Sequence, residues 1–155
     1  MGIGRGGSGC SVIIGVDPGT SGSPGGGLGI AWVSEDEEAS LTMVRAPHES
    51  LAGYCCRVRD QIEALLPPWA EGSMVVVEQP FCMPAMMGVG MRLSRVVGVV
   101  EEISERMGAT VVGVAPSQLR SANGVKAKGK AGKAQMINAM KARGHRPANE
   151  HEADA

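Results

Sequence analysis

The sequence predicts an α/β fold built on a mixed sheet, and three observations carry that expectation. Two short runs of β-branched residues, Ser11–Asp17 (SVIIGVD) and Met74–Glu78 (MVVVE), each end in a carboxylate. Stretches of helical length and apolar spacing alternate with such runs through the second half of the chain. The first three strand-like runs are joined too tightly for helical crossovers, so the sheet they enter cannot be wholly parallel. The expected order is β-β-β-α-β-α-β-α-α.

Each element has its own local reason. Residues 1–11 (MGIGRGGSGCS) read as a flexible leader, because Gly and Ser cannot repay the entropy of ordering. Ser11–Asp17 is the first strand, and the Gly- and Pro-rich stretch 18–29 (PGTSGSPGGGLG) is too turn-prone for regular structure. Ile30–Val33 and Leu41–Arg45 read as two strands flanking an acidic turn at Glu35–Glu38. Glu49 to Leu66 has helical spacing and is stopped by Pro67-Pro68. After the strand Met74–Glu78, Met86 to Met107 reads as a long helix and Thr110–Ala115 (TVVGVA) as a further strand. Ala131 to Arg143 reads as a helix, and Asn149 opens a last one that is cut short at Ala155. The domain expected is therefore 12–155, with no internal repeat.

Composition narrows the function classes. At 155 residues the chain is long enough for one hydrophobic core. With only four aromatics (Trp32, Tyr54, Trp69 and Phe81), that core must be built from Val, Ile, Leu, Met and Ala. Charge-free stretches are broken by Pro or Gly and fall short of the ~18 apolar residues that span a bilayer, so no membrane partner is expected. The leader lacks the apolar segment of a signal peptide, which points to the cytoplasm. Cys10, Cys55, Cys56 and Cys82 fit neither a CxxC zinc site nor a secreted disulfide framework, and reduced thiols are expected.

The chemistry sits on carboxylates. Asp17 closes an apolar strand and is followed by Pro18-Gly19. Open α/β sheets place ligands at that end of a strand, although Asp-Pro-Gly is equally good turn chemistry. Glu78 repeats the arrangement, and two strand-end carboxylates favour a shared site for a hard cation such as Mg²⁺ or Mn²⁺. In the C-terminal segment Asn149 is a good N-cap, and Glu152 three residues later completes a capping-box pattern. His151 and Asp154 then share one helical face. The helix dipole accounts for Glu150 and Glu152 but disfavours a protonated His151.

Together these residues resemble the RuvC-type Holliday-junction resolvases of the RNase H-like superfamily. The matching pieces occur in the family's order: IIGVDPGT at 13–20, GLGIAWV at 27–33, VVVEQPF at 75–81, PSQLR at 116–120, GKAQM at 132–136 and HRPANEHEADA at 145–155. They cover essentially the whole chain from residue 12 and are specific in combination. The resemblance implies an RNase H-like fold, a mixed five-stranded sheet flanked by helices. It also implies a catalytic and metal-binding tetrad of Asp17, Glu78, His151 and Asp154. The family usually has Asp where His151 stands, although some members carry His. An imidazole adds no negative charge to draw in a second cation, so activity is expected to depend on pH near the His pKa and to shift towards Mn²⁺.

The activity implied is hydrolysis of a phosphodiester with two Mg²⁺ or Mn²⁺ ions roughly 4 Å apart, one generating hydroxide and the other stabilising the leaving oxygen. The substrate implied is branched DNA, a four-way junction nicked symmetrically by a homodimer to leave 5′-phosphates. The helix from Met86 to Met107, with Gly88, Gly90, Ser94 and Gly98 permitting close approach, is the expected dimer surface. In relatives an aromatic three residues after the second carboxylate stacks on a base at the junction centre, a role that falls here to Phe81.

Charge distribution fits such a partner better than the net charge of −1 does. Between Arg106 and Asn149 lie nine of the chain's 15 Lys and Arg and no acid. Lys126, Lys128, Lys130 and Lys133 form a Gly-punctuated basic loop able to mould onto a phosphate backbone. By resemblance Arg120 and Lys133 stand near the scissile phosphate, whereas Lys126, Lys128 and Lys130 are additional. The competing readings are a nuclease of the superfamily acting on flaps or RNA–DNA hybrids, a non-catalytic DNA-binding scaffold, and an actin-like or sugar-kinase ATP-binding domain. The last shares the Asp17-Pro-Gly-Thr-Ser motif but generally needs a much longer chain.

Overall fold

The computed structural model describes residues 11–20, 27–66, 70, 72–80, 84–147, 153 and 155. Five strands, β1 (Ile13–Asp17), β2 (Leu28–Val33), β3 (Glu38–Met43), β4 (Met74–Glu78) and β5 (Thr110–Val114), form one sheet in the order β3-β2-β1-β4-β5. The first three pair antiparallel, as their short connections require, and β1, β4 and β5 pair parallel. The sheet is thus mixed and five-stranded, in keeping with the sequence.

Boundaries differ where tertiary pairing overrides local composition. β2 begins at Leu28 rather than Ile30, because Leu28 and Gly29 pair with Met43 and Thr42. β3 starts at Glu38 rather than Leu41, so Glu38 belongs to the strand and not to the acidic turn. The turn is Ser34–Glu37, closed by a bond from the Ser34 N–H to the Glu37 carbonyl (2.8 Å). A Glu is tolerated in β3 because that strand is an edge.

Helices α1 (Leu51–Leu65) and α2 (Met87–Arg106) pack together on one face of the sheet. Ser50 caps α1, accepting from the Gly53 N–H at 3.0 Å. Ile14, Val16, Leu28, Ile30, Val75 and Val77 of the sheet meet Val58, Ile62, Val96, Val100 and Ile103 of the helices. Each such fully buried side chain contributes about 1.5–3 kcal/mol relative to exposure. Among the described residues, Tyr54 is the one fully buried aromatic. Its hydroxyl donates to the Met43 carbonyl at 3.1 Å, and burial pushes its pKa up to about 12. The core is therefore aliphatic, as the aromatic count demands.

A helix absent from the expected order, α3 (Pro116–Ala122), follows β5 directly, and α4 (Gly129–Ala142) begins two residues earlier than Ala131. Both lie towards the other sheet face, around a small cluster of Val125, Met136 and Ala153. Gly90 of α2 is buried, so it does not belong to the exposed small-residue stripe with Gly88, Ser94 and Gly98. Cys55 and Cys56 are free thiols, the first half-buried and the second exposed. No helix among the described residues is long and apolar enough to cross a membrane. Residues 1–10 of the leader, positions 21–26 of the Gly-rich loop, the Pro67-Pro68 stop, Cys10 and Cys82 lie outside the described residues, as does Asn149 at the start of the last helix.

Candidate active site

The site is created by the order of the strands. From β1 the chain turns to one side through β2 and β3, crosses back by α1, and continues on the other side with β4 and β5. The boundary between β1 and β4 is thus a topological switch point, where a crevice opens beyond the carboxyl ends of parallel strands. Asp17 is the last residue of β1 and Glu78 the last of β4. The parallel register pairs Val16 with Val77, so the two acids are the next step along adjacent strands. Val16 and Val77 face the helical core, and the period-2 alternation of strands turns Asp17 and Glu78 together to the opposite face. Neighbouring strands lie only ~4.8 Å apart.

A cleft of about 280 Å³ opens at this point, lined by Asp17, Glu78, Pro116, Arg120, Gly129, Gly132, Lys133 and Met136. Asp17 is 9% exposed and Glu78 is half-buried. Asp17, Glu78 and Lys133 are all engaged in interactions within the protein. Arg120 comes from α3 and Lys133 from α4, so the two basic residues reach the carboxylates from separate helices.

Local chemistry explains why these helices stand there. Pro116 occupies the first turn of α3, where its missing N–H costs nothing. The Gln118 side chain accepts from the Ala115 N–H at 2.8 Å, fixing the entry from β5. At the far end Arg143 donates to Asn123 Oδ1 (2.7 Å) and to the Ala122 carbonyl (3.3 Å), tying the end of α4 to the end of α3. Gly132 is buried on α4, and a Cβ there would come within 2.5 Å of the Ala127 carbonyl oxygen.

The structure thus brings together four residues singled out in the sequence: Asp17, Glu78, Arg120 and Lys133. Lys126, Lys128 and Lys130 are exposed and do not line the cleft. Phe81, His151 and Asp154 lie outside the described residues. Ala153, between the last two, is buried against Val125 and Met136, and Met136 also lines the cleft. No cluster of three or more His, Cys, Asp or Glu able to hold a metal occurs among the described residues. Sequence reasoning missed Pro116, Gly129, Gly132 and Met136 as cleft residues. Only Pro116, at the first turn of a helix, carried a local signal for its place.

Two adjacent carboxylates repel, and a site that gathers them beside cations is adapted to a hard, oxygen-seeking cation and an anionic ligand. The donor chemistry of Asp17 and Glu78 therefore fits Mg²⁺ or Mn²⁺.

Solved structures share this architecture. Thermus thermophilus RuvC in complex with a Holliday junction substrate superposes with a TM-score of 0.65 at 20% identity, over 94% of this chain and 87% of that one. The chain has the RuvC fold. A second Thermus thermophilus RuvC structure gives a TM-score of 0.64 at 19% identity, over 93% of this chain and 88% of that one. No protein-family model matches the sequence, and no curated protein matches it. The RNase H-like α/β architecture implied by the sequence motifs is thus the one observed, with its mixed sheet and flanking helices.

Proposed function

We propose that this protein is a divalent-metal-dependent, structure-selective endodeoxyribonuclease that resolves four-way DNA junctions by paired, symmetric phosphodiester hydrolysis, leaving 5′-phosphates. The observation that carries the reading is the placement of Asp17 and Glu78 one step beyond the Val16–Val77 pair at the β1–β4 switch point, in one cleft with Arg120 and Lys133. The likeness of the fold to RuvC in complex with a Holliday junction supports it.

Asp17 and Glu78 would hold the metal, with His151 and Asp154 completing the set by resemblance. When bound, Mg²⁺ or Mn²⁺ supplies activation of water and charge stabilisation at the leaving oxygen. Arg120 and Lys133 orient the phosphate and offset its charge, a task suited to a planar guanidinium and a mobile ammonium. Phe81 is assigned to a base at the junction centre. Two nicks in symmetry-related strands need two copies of the chain, and α2 is the surface proposed for their pairing.

The test is cleavage of a synthetic four-way junction, a linear duplex and a flap of matched sequence, each in Mg²⁺ and in Mn²⁺. The junction should be cut preferentially, at symmetric positions. Equal cleavage of all three substrates would replace the resolvase with a general nuclease, and preference for the flap would favour the other branched-DNA reading. In the same assay Asp17→Asn and Glu78→Gln should each retain junction binding. Their cleavage should fall by more than the ~100-fold that loss of an outer-shell partner costs a metal site. Undiminished nicking by either variant would remove the metal assignment.

A further inference from the structure

The basic segment between α3 and α4 is braced at every step. Gly124 (φ 69°) and Gly129 (φ 58°) take left-handed backbone at its two ends, fixing the bends by which the chain leaves α3 and enters α4. Val125 is buried against Met136 and anchors the segment from within. Gln135, on α4, reaches back so that its Oε1 accepts from both the Lys126 N–H (3.2 Å) and the Ala127 N–H (3.1 Å). On the same helix Gly132 leaves room for the Ala127 carbonyl, which any Cβ would meet at 2.5 Å. One side chain and one missing side chain thus hold the loop backbone flat against α4, while Lys126, Lys128 and Lys130 stay exposed.

This arrangement reverses the expectation of a supple loop that moulds itself onto a phosphate backbone. Glycines at 124 and 129 serve bends, and the glycine at 132 serves close approach. A free loop would have to order its backbone on binding a polyanion, at a cost of about 1–2 kcal/mol for each residue fixed. A braced loop has met that cost on folding.

We infer that Gln135 is a positioning residue for DNA: it presets the 125–128 backbone so that Lys126 and Lys128 meet consecutive phosphates without ordering on contact. The inference rests on the reading of the chain as a binder of branched DNA. It adds a residue that touches neither the cleft nor the phosphates and acts through two backbone amides.

Salt dependence separates positioning from contact. Each phosphate neutralised by a lysine contributes ~0.9 to the slope of log K against log salt. Gln135→Met keeps the size of the side chain and removes the acceptor. Its affinity for a four-way junction, titrated over a salt series without divalent metal, should fall by about fivefold, the cost of ordering one backbone residue. The slope should stay unchanged. Lys126→Ala with Lys128→Ala should instead lower the slope by ~1.8. Amide hydrogen exchange of the unbound protein provides the second readout. Lys126 and Ala127 should lose protection in Gln135→Met and keep it in Gln135→Glu, which retains an acceptor oxygen. Should Gln135→Met fold poorly, Gly132→Ala attacks the brace from the other side. Because Gly132 also lines the cleft, its readout is the unbound loop, where the Lys126 and Ala127 amides should lose protection. Wild-type affinity in Gln135→Met with its loop amides unprotected would overturn the inference, as would a reduced slope in that variant. Failure of the unaltered protein to bind the junction would instead overturn the functional reading on which it rests.

Discussion

Glu49 is held well below the usual carboxylate range, at about 2, chiefly by hydrogen bonds from Arg57, whose Nε and Nη2 reach its two oxygens at 2.8 and 2.7 Å. The Ala46 N–H adds a further bond at 2.8 Å. The same guanidinium donates to the Val44 carbonyl and lies 5.4 Å from the Tyr54 ring centre, so one arginine gathers the whole β3–α1 connection. Depression of the folded-state pKa from 4.5 to about 2 means that the unfolded chain takes up this proton first. The stabilisation is therefore complete above pH 4.5 and drains away as the pH falls towards 2. Thermal melting should show this loss in the native protein. Glu49→Gln should melt lower at neutral pH and flatten that acid limb of the profile; a limb of unchanged steepness would assign the acid sensitivity to other groups. At this scale the sequence was most legible where a charge interrupts an apolar run. Asp17 and Glu78 stood out because nothing but a site or a turn explains an acid at the end of VIIGV or MVVV. Gln135 did not, since a glutamine on an exposed helical face is ordinary until the loop it holds is folded back onto it.

Among the elements, the α3–α4 hairpin decides whether Arg120 and Lys133 share a cleft. Neither helix is held by much apolar surface: α3 has no buried residue, and α4 buries only Gly132 and Met136. The Arg143 clasp to Asn123 and Ala122 consequently matters more than an exposed bond usually does. Arg143→Ala should cost about 1 kcal/mol, the typical worth of an intramolecular hydrogen bond. That corresponds to a fall in Tm of about 2–4 °C for a chain of this size. Cleavage should decline more than the melting shift accounts for, because the two basic residues lose their common setting; a variant with normal cleavage and normal Tm would show the clasp to be dispensable. The missed helix and the misjudged loop have one cause. Seven residues with no apolar stripe give periodicity nothing to detect, and glycines that serve close approach read the same as glycines that serve freedom. The long elements, α1, α2 and the buried strands, were legible because a single apolar face specifies each of them.

For the molecule as a whole, the distribution of charge says more than its sum. The net charge of −1 conceals a stretch after Arg106 that is basic throughout until Glu150. Charge is also unevenly placed along α2, with Arg92 and Arg95 in its first half and Glu101, Glu102 and Glu105 in its second. Arg106 at the helix end pairs with Glu102 at 3.3 Å, which leaves Glu101 and Glu105 outside that pair. Exposed Gly88, Met91, Ser94 and Gly98 run along the helix, and Met87 and Met91 are 61% and 59% exposed. Two such helices crossing antiparallel about Gly98 would bring Arg95 of each towards Glu101 of the other and place Met91 against the second half of the partner helix. Such a two-fold contact is self-complementary, as a symmetric dimer requires. Glu101 also accepts from the Gln79 side chain at 3.1 Å, next in sequence to Glu78, so the proposed dimer face and the site share a strand end. The decisive variant is Gly98→Trp. A Cβ at position 98 meets nothing within 4 Å, so the single chain can carry the substitution without strain. Loss of a mid-helix glycine should, if anything, favour the helix by a few tenths of a kcal/mol. Sedimentation should therefore show a well-folded species at the single-chain mass of 16.0 kDa, where the proposed dimer of the unaltered protein should sediment at twice that mass. On a four-way junction this variant should release singly nicked product and no paired cuts. A Gly98→Trp protein that still sediments at the doubled mass would move the dimer contact off α2, and paired cuts from a single-chain species would separate symmetric resolution from dimer formation.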